Sequence, residues 1–339
     1  MTNREWFKSA GFGMMIHLGL YSLAAGEWKG QRMPHIGEWA QSYFRIPGNE
    51  YGELAKAFNP VCFNAEEWVL AAKSAGMKYM VVTSKHHEGF CLFDSAWDTF
   101  NTVKGTPFGR DIIAELAEAC YKHGLKLGLY YSQELDWHEP DGGGYRSGHT
   151  NCNCMSWTND WDYPDNESKD FSRCFVGKIK TQFKEILTKY GDLCLIWCDT
   201  PHVITEAQSR ELYDMVKTYQ PDCLVNSRIG NGLGDYRSTG DNQVLFDKTI
   251  TPDTKGLTAA RAGELSVKTG LYECPATLNH TWGYKAYDND WKDAETVLAL
   301  KKRLNDQGIN YLLNIGPDPL GRLPAPALDI LRKVGESEG

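Results

Sequence analysis

The run Leu-Cys-Leu-Ile-Trp-Cys-Asp at residues 193–199 decides the fold. Its successive apolar residues lack the alternation of a half-exposed strand, which indicates a strand covered on both faces. Asp199 closes the run, and a buried carboxylate is costly unless it has a partner or a chemical role. We therefore expect a strand of a parallel sheet with a functional carboxylate at its carboxyl end.

Similar apolar runs recur on both sides of this strand, and helix-like stretches separate most of them. Further strands are predicted at residues 13–17, 79–83, 125–132, 223–226, 243–246, 271–274 and 311–315. Helices are predicted at residues 65–75, 111–122, 171–190, 205–219, 293–305 and 327–334. This alternation predicts an α/β fold: a single (β/α)8-type barrel over residues 1–339, with an open doubly wound sheet as the alternative.

Two long irregular regions, at about residues 18–59 and 133–167, each follow a predicted strand. Barrel enzymes build their active sites from the loops at the carboxyl ends of the strands, so we expect these regions to border a site. No G-x-G-x-x-G motif opens a helix after a strand, which argues against a dinucleotide cofactor.

Composition and charge exclude several classes of partner. The 339 residues carry a net charge of -8 and no Lys/Arg cluster, which argues against nucleic acid and anionic membranes. No apolar run reaches the ~18 residues of a membrane span, and the first nine residues lack the apolar core of a secretory signal. We expect a cytoplasmic protein, or the mature form of a secreted one. The 11 Trp and 17 Tyr fit a large core or sugar stacking.

The ten cysteines are spaced irregularly, and several fall inside predicted strands. Such positions are typical of reduced, buried thiols rather than of a disulfide framework. Cys152 and Cys154 form a C-x-C pair, but only His149 lies near enough in the sequence to complete a metal site. We therefore expect neither a bound metal nor an organic cofactor.

Polar side chains stand at or near the carboxyl end of nearly every predicted strand. They are His17, Lys85, His86, His87, Glu88, Tyr130, Tyr131, Asp199, Asn226, Arg228, Asp241, Glu273 and Asn314, with Asp241 just before the predicted sixth strand. Any one of these residues alone could be explained as the N-cap of the following helix. In a barrel, however, all of them lie at the same rim. Their convergence predicts a polar site there.

Asp199 is suited to glycoside hydrolysis, which needs two carboxyl groups. One of them stays ionised as the nucleophile, and the other is an acid with a raised pKa. In a retaining enzyme the two groups lie about 5–5.5 Å apart. Asp199 and a second carboxyl from a later strand or loop can meet this requirement across the rim.

The adjacent pair His86-His87 raises the alternative of a metal-dependent hydrolase on the same barrel. Neighbouring residues on an extended segment point in opposite directions, and neither H-x-x-x-H nor H-E-x-x-H occurs in the chain. Hydrogen bonds from the imidazoles to sugar hydroxyls fit the pair better than metal ligation does.

Nine motifs, taken in order, carry a resemblance to a known family. They are FGMMIHLGLYS at 12–22, FNAEEW at 63–68, AGMKY at 75–79, KHHEGF at 85–90, GRD at 109–111, GLYYS at 128–132, LVNSR at 224–228, TWGY at 281–284 and NYLLNIGP at 310–317. On these motifs the chain resembles the glycoside hydrolase family 29 α-L-fucosidases over nearly its whole length. The C-terminal β-sandwich that many members carry is not expected here.

The resemblance implies a role for each matching residue. Asp199 takes the place of the aspartate that forms the covalent fucosyl-enzyme. A second group of residues matches fucose-binding positions of the family or lies in matching motifs, and is expected to bind the sugar. These residues are His17, Glu38, Trp39, His86, His87, Tyr131, Trp197, Arg228 and Trp282. In the Glu38-Trp39 pair, the carboxylate is expected to touch sugar hydroxyls and the ring to pack near the sugar.

The resemblance leaves two candidates for the acid/base. The family's T-P-E reads Thr239-Gly240-Asp241 here, which makes Asp241 the first choice, and Tyr272-Glu273 matches a later Trp-Glu, which makes Glu273 the second. The chain also departs from the family pattern elsewhere. Leu18 replaces a common Trp, and Cys198-Asp199-Thr200 replaces a bulkier motif that ends in Gly.

The implied function is that of a retaining exo-α-L-fucosidase acting on a fucosylated oligosaccharide or glycoconjugate by two displacements. The alternatives are a related α-L-glycosidase, for example an α-L-galactosidase, and a catalytically impaired fucose-binding protein, which only the altered Asp241 motif favours. The barrel is also expected to form a homo-oligomer that shields its rim.

Overall fold

A computed structural model describes residues 1–144, 150–151, 155–247, 250 and 252–337. Within that part of the chain, eight parallel strands form one sheet. They are β1 Phe12–Ile16, β2 Tyr79–Lys85, β3 Lys126–Ser132, β4 Leu195–Asp199, β5 Leu224–Val225, β6 Arg237–Ser238, β7 Tyr272–Thr277 and β8 Ile309–Ile315.

Each strand of the sheet lies beside its neighbours in the sequence, and β8 pairs with β1. A parallel bridge between Asn226 and Tyr236 joins the segments after β5 and before β6, where the sheet would otherwise be open. The predicted (β/α)8-type fold is thereby confirmed, in preference to the open doubly wound sheet.

Eight helices of eight or more residues accompany the strands in the described part of the chain. They are α1 Asn3–Ala10, α2 Ala65–Ser74, α3 Ile112–His123, α4 Lys180–Lys189, α5 Glu206–Tyr219, α6 Ala259–Ser266, α7 Ala294–Asp306 and α8 Ala325–Glu336. Shorter helical segments are Tyr21–Ala24, Gly37–Trp39, Ala40–Tyr43, Gly48–Gly52, Glu53–Ala57, Phe171–Cys174, the π turn Phe175–Ile179 and Ser227–Ile229. Two hairpins pair Glu27–Trp28 with Gln31–Arg32, and Thr150–Asn151 with Met155–Ser156.

Local sequence explains where the main helices begin. Asn64 accepts hydrogen bonds from the amides of Glu66 and Glu67 at the start of α2, and Asp111 accepts one from Ala114 at the start of α3. Thr205 forms a full capping box at the start of α5. Each cap satisfies amides that have no partner within the helix, which stabilises a helix by about 1 kcal/mol.

The predicted sixth strand at residues 243–246 is wrong, because the strand is β6, formed by Arg237 and Ser238. β6 has only two residues, one of them charged, and therefore carries no apolar signal. The Arg237 guanidinium lies over the ring of Phe246, at 5.1 Å, so the apolar stretch packs against the strand instead of forming it. Asp241 consequently follows β6 rather than preceding it. Helices α1 and α6 were not predicted.

The barrel separates two apolar layers. Outside the sheet, the main core packs the strands against the helices. Inside it, a second cluster of buried side chains fills the barrel and includes Phe7 from α1, Tyr79, Tyr130 and Trp197. Large aromatic rings therefore occupy the interior and support the residues at the carboxyl ends of the strands.

The eight cysteines within the described residues are all free, and seven of them are buried. His149, Cys152 and Cys154, considered above as metal ligands, lie outside the described residues. None of the helices in the described ranges combines the length and the apolar character that a membrane span needs.

Candidate active site

A cavity of about 490 Å³ opens at the carboxyl ends of the barrel strands. Its lining includes most of the residues expected at the site. Of the predicted set, the lining contains His17, Glu38, Trp39, His86, His87, Trp197, Asp199, Arg228, Asp241 and Trp282. The remaining two predicted residues, Tyr131 and Glu273, do not line it.

Asp199 is the last residue of β4, and both of its carboxylate oxygens are held. Oδ1 accepts a hydrogen bond from Nη1 of Arg228 at 2.9 Å, and Oδ2 accepts one from the hydroxyl of Tyr130 at 2.7 Å. Burial by itself would raise the pKa of Asp199, but the Arg228 guanidinium, with the hydrogen bond from Tyr130, outweighs burial and holds that pKa below its usual range. The carboxylate is therefore ionised at neutral pH.

Arg228 lies in the turn after β5 and joins Asp199 to Asp241. While Nη1 donates to Asp199, Nη2 donates to Oδ1 of Asp241 and, at 3.2 Å, to the carbonyl oxygen of Thr239. The guanidinium also lies 4.7 Å from the ring centre of Trp197. The Arg228 side chain is only 8% exposed whereas that of Asp241 is 50% exposed, so Asp241 stands at the open side of the pair.

Three histidines form one wall of the cavity, and burial lowers the pKa of each. The pKa is about 4 for His17 and about 3 for His87, while that of His86 lies well below its usual range. His17 Nδ1 donates to Asn314 at 2.7 Å, and His87 Nδ1 donates to Ser132 at 2.8 Å. These neutral rings can exchange hydrogen bonds with uncharged hydroxyl groups.

The Glu38-Trp39 pair reaches the cavity from the 3₁₀ turn Gly37–Trp39. Glu38 accepts a hydrogen bond from the amide of Gly283 at 2.8 Å, and burial raises its pKa to about 7. Trp39 stands edge-on to His87, with 5.1 Å between ring centres, and Trp282 tilts against His17 at 5.3 Å. Trp39 thus packs against the histidine wall, and the contacts of the pair with a sugar stay a prediction.

Tyr131 points away from the cavity. Its hydroxyl donates to Gln182 at 2.7 Å, and its ring packs edge-on against Phe183 of α4 at 5.1 Å. Side chains alternate along a strand, so Tyr130 and Tyr131 face opposite sides of the sheet. Tyr130, and not Tyr131, lines the cavity. Tyr130 pairs with Trp197 of the neighbouring strand β4, and because Trp197 faces inward, its partner is expected to face inward as well.

Glu273, the second residue of β7, lies beneath the cavity rather than on it. Its side chain accepts hydrogen bonds from Trp197 Nε1 at 2.8 Å and from the hydroxyl of Tyr79 at 2.6 Å, and it is fully buried. Burial raises its pKa to about 7. The structure therefore brings Asp241, and not Glu273, to the surface of the cavity beside Asp199.

Sequence reasoning missed several residues of the cavity, notably Trp157, Thr200, Arg261 and Glu264. Arg261 and Glu264 belong to α6, a helix of only eight residues that was not predicted. Thr200 was noted only as a departure from the Gly that ends the family motif. It has a φ of 56°, in the left-handed region where glycine is favoured, so the departure falls at a position that suits glycine.

The donor set does not suit a metal ion. Among the described residues, no three His, Cys, Asp or Glu side chains are arranged to hold one. Asp199 is instead committed to a guanidinium and a phenol, and His17 and His87 each have one ring nitrogen bound to a neutral side chain. Carboxylates, an arginine and neutral imidazoles around an open cavity suit acid–base and nucleophilic chemistry on an uncharged polyol.

Comparison with known proteins places this chain among the alpha-L-fucosidases. The family model described as alpha-L-fucosidase matches residues 1–337. The tissue alpha-L-fucosidase of Rattus norvegicus is 36% identical, and the match covers 98% of this chain and 67% of that protein. The chain thus spans about two thirds of that curated relative.

Solved structures of one bacterial enzyme match along nearly their full length. The alpha-L-fucosidase AlfC from Lactobacillus casei, in complex with its α-L-fucose product, is 49% identical with a TM-score of 0.90, covering 99% of this chain and 98% of that one. An aspartate-to-alanine variant of AlfC in complex with Fucα(1,6)GlcNAc is 48% identical, with the same TM-score and the same coverage.

Proposed function

The chain belongs to the α-L-fucosidase family of glycoside hydrolases, and from this premise we propose that it releases terminal α-L-fucose with Asp199 as the nucleophile. The observation that carries the proposal is the ionised Asp199, held on both oxygens at the floor of a cavity lined by neutral histidines. A carboxylate kept ionised at neutral pH is ready to attack an anomeric carbon.

In the first displacement, a carboxylate oxygen of Asp199 forms a bond to C1 of the fucosyl group. The bond between C1 and the glycosidic oxygen breaks, and the carboxyl of Asp241 gives its proton to that oxygen. The products of this step are the free aglycone hydroxyl and a covalent fucosyl ester of Asp199. The exposure of Asp241 supports this role, because the acid must reach a leaving group that extends towards solvent.

In the second displacement, Asp241 as a carboxylate removes a proton from water, and the water oxygen attacks C1 of the ester. The bond to Asp199 breaks, and α-L-fucose leaves with its original anomeric configuration. Arg228 touches both carboxylates, so it can balance the charge that passes between them. The neutral imidazoles of His17, His86 and His87 fit the fucose hydroxyls.

We propose an α(1,6)-linked fucosyl-N-acetylglucosamine as the substrate class, because a variant of the related AlfC binds Fucα(1,6)GlcNAc. Trp157, Leu257 and Arg261 also line the cavity and are available to contact a second sugar. A set of fucosyl disaccharides with α(1,2), α(1,3), α(1,4) and α(1,6) linkages would test this. Faster release from another linkage than from α(1,6) would contradict it.

The nucleophile is tested with 4-nitrophenyl α-L-fucoside and the Asp199→Ala variant. We expect kcat to fall by about 10⁴-fold or more, as for other residues that form the covalent intermediate. Azide added to this variant should restore turnover and give the β-fucosyl azide, because only one displacement then occurs. Equal rates for the variant and the wild type would remove Asp199 from this role.

The acid/base is tested with Asp241→Ala, for which we expect a loss of about 10²–10⁴-fold with poor leaving groups. Azide should here give the α-fucosyl azide, because it attacks the fucosyl ester on Asp199. The control is Glu273→Gln, whose side chain lies below the cavity and for which no azide product is expected. An azide product from Glu273→Gln but none from Asp241→Ala would reverse the assignment.

The homo-oligomer stays a prediction, and light scattering on the purified chain would test it. Fucose binding without turnover by the wild type would instead favour the catalytically impaired binding protein. Activity of the wild type towards α-L-galactosides above that towards α-L-fucosides would favour the related glycosidase.

A further inference from the structure

Arg228 contacts three carboxylates, of which the proposed mechanism uses two. Nη1 and Nη2 meet Asp199 and Asp241, and Nε lies 3.3 Å from Oε1 of Glu264. Glu264 comes from α6, far along the chain from Arg228 and without any motif that marks it. Each nitrogen of the guanidinium thus lies within ion-pair distance of a different acidic side chain, although Nε donates no hydrogen bond.

Glu264 is itself immobilised. Its side chain is 5% exposed, and its second oxygen lies 3.2 Å from Nη1 of Arg261, one turn earlier on α6. One guanidinium group thus lies within ion-pair distance of each oxygen of this carboxylate. A charged side chain fixed in this way presents one geometry to Arg228, because its own rotation is restricted.

A glycine allows α6 to approach closely enough for this contact. A Cβ atom at Gly263 would lie 2.3 Å from the backbone nitrogen of Gly232 and 2.6 Å from the backbone of Asn231. These distances are too short for any side chain at residue 263. The amide of Asn231 also donates to the carbonyl oxygen of Ala260 at 3.2 Å. The helix is therefore seated directly on the segment that follows Arg228, and Glu264 is the next residue after the point of contact.

We propose that Glu264 is a positioning residue that fixes the Arg228 guanidinium between Asp199 and Asp241. The inference rests on the proposed function, since it assumes that these two aspartates react. With contacts at Nη1 and Nη2 alone, the guanidinium could rotate and form a bidentate ion pair with either aspartate. The Glu264 charge beside Nε, together with the Trp197 ring at 4.7 Å, favours the orientation that serves both.

The test is Glu264→Gln, which keeps the shape of the side chain and removes its charge. We expect kcat for 4-nitrophenyl α-L-fucoside to fall by about 10–10²-fold, the range that misplaced reacting groups produce, with little change in KM. Gly263→Ala, which keeps the carboxylate but displaces α6, should lower kcat in the same way. Glu118→Gln, on the exposed face of α3, is the matched control and should behave as wild type.

A double-mutant cycle with Arg228→Met separates positioning from simple destabilisation. If Glu264 acts through Arg228, then Glu264→Gln lowers kcat no further once Arg228 is absent. A loss that persists undiminished in the Arg228→Met background, or a Glu264→Gln variant with wild-type kcat, overturns the inference. A wild-type enzyme inactive on every fucoside would instead contradict the proposed function, which is a distinguishable result.

Discussion

Tyr130 and Tyr131 are neighbours in β3, yet only one of them touches the reacting carboxylate. The Tyr130 hydroxyl donates to Asp199, and hydrogen bonding to the ionised form lowers the pKa of a carboxyl. The Tyr130→Phe variant should therefore raise the pKa of Asp199. Because the nucleophile must be ionised, the acidic limb of the kcat/KM profile should move to higher pH, by about one unit.

Tyr131→Phe is the matched control for this prediction. It removes an equivalent hydroxyl that is bonded to Gln182 on the other face of the sheet. Its acidic limb should coincide with that of the wild type. A limb that stays in place in Tyr130→Phe, or moves equally in both variants, would show that the phenol does not influence Asp199.

Thr200 follows the nucleophile with a φ of 56°. The left-handed conformation costs a residue with a Cβ about 1–2 kcal/mol, whereas glycine adopts it freely but loses about 0.5–1 kcal/mol through the unfolded chain. Thr200→Gly should therefore leave the free energy of unfolding unchanged or raise it by up to about 1 kcal/mol. Urea denaturation measures this difference.

The control for Thr200 is Thr218→Gly, in the ordinary helical backbone of α5. That change should lower the free energy of unfolding by about 0.5 kcal/mol, since glycine is the poorer helix former. A larger loss for Thr200→Gly than for Thr218→Gly would mean that the left-handed strain at residue 200 is not relieved by glycine.

At the scale of elements, α1 seals the end of the barrel opposite the cavity. A capping box of Thr2 and Glu5 starts this helix, and the ring of Phe7 lies 4.6 Å from that of Tyr236 and 6.3 Å from that of Tyr79. Phe7 is 1% exposed and belongs to the interior cluster. The short helix therefore contributes to the core although it precedes the first strand.

Phe7→Ala should lower the free energy of unfolding by about 3–5 kcal/mol, because it leaves a cavity among aromatic rings. The KM of the folded enzyme should stay near that of the wild type, since the substrate cavity is at the other end of the strands. Denaturation and steady-state kinetics at low temperature measure the two effects. Lys8→Ala, on the exposed side of α1, is the control, and equal stability of both variants would contradict the sealing role.

At the scale of the whole molecule, the barrel encloses an ionisable group whose protonation is linked to folding. Burial raises the pKa of Glu273 to about 7, above the ordinary value of 4.5 for a Glu side chain. The folded state consequently holds a proton that the unfolded state releases between these two values. The stability contributed by Glu273 is present below pH 4.5 and is lost as the pH rises through about 7.

Glu273→Gln removes this linkage. The unfolding free energy of the variant, relative to that of the wild type, should increase as the pH is raised from about 4.5 to about 7 and then level off. Tyr79 can reverse its hydroxyl to suit the amide. Glu118→Gln, on the exposed face of α3, serves as the control for removing a carboxyl group. A difference for Glu273→Gln that is constant with pH would show that its carboxyl titrates as in the unfolded chain.

The order of the strands, most helix ends and the place of Asp199 were determined by the sequence alone. Apolar runs such as 193–198 indicate buried strands. Asn64, Asp111 and Thr205 mark the starts of helices through local hydrogen bonds. These features depend on residues close to one another in the chain. The sequence did not predict β6, because a strand of two residues, one of them charged, shows no apolar pattern.

The partners of the reacting carboxylate were decided only by the tertiary structure. Asp199, Arg228, Asp241 and Glu264 come from four different segments, and closure of the barrel brings them into contact. Whether Glu273 or Asp241 faces the cavity also depends on depth along a strand, which a sequence pattern does not encode. Electrostatic contacts between distant segments follow from how the sheet closes and how α6 docks, and for that reason no local pattern predicts them.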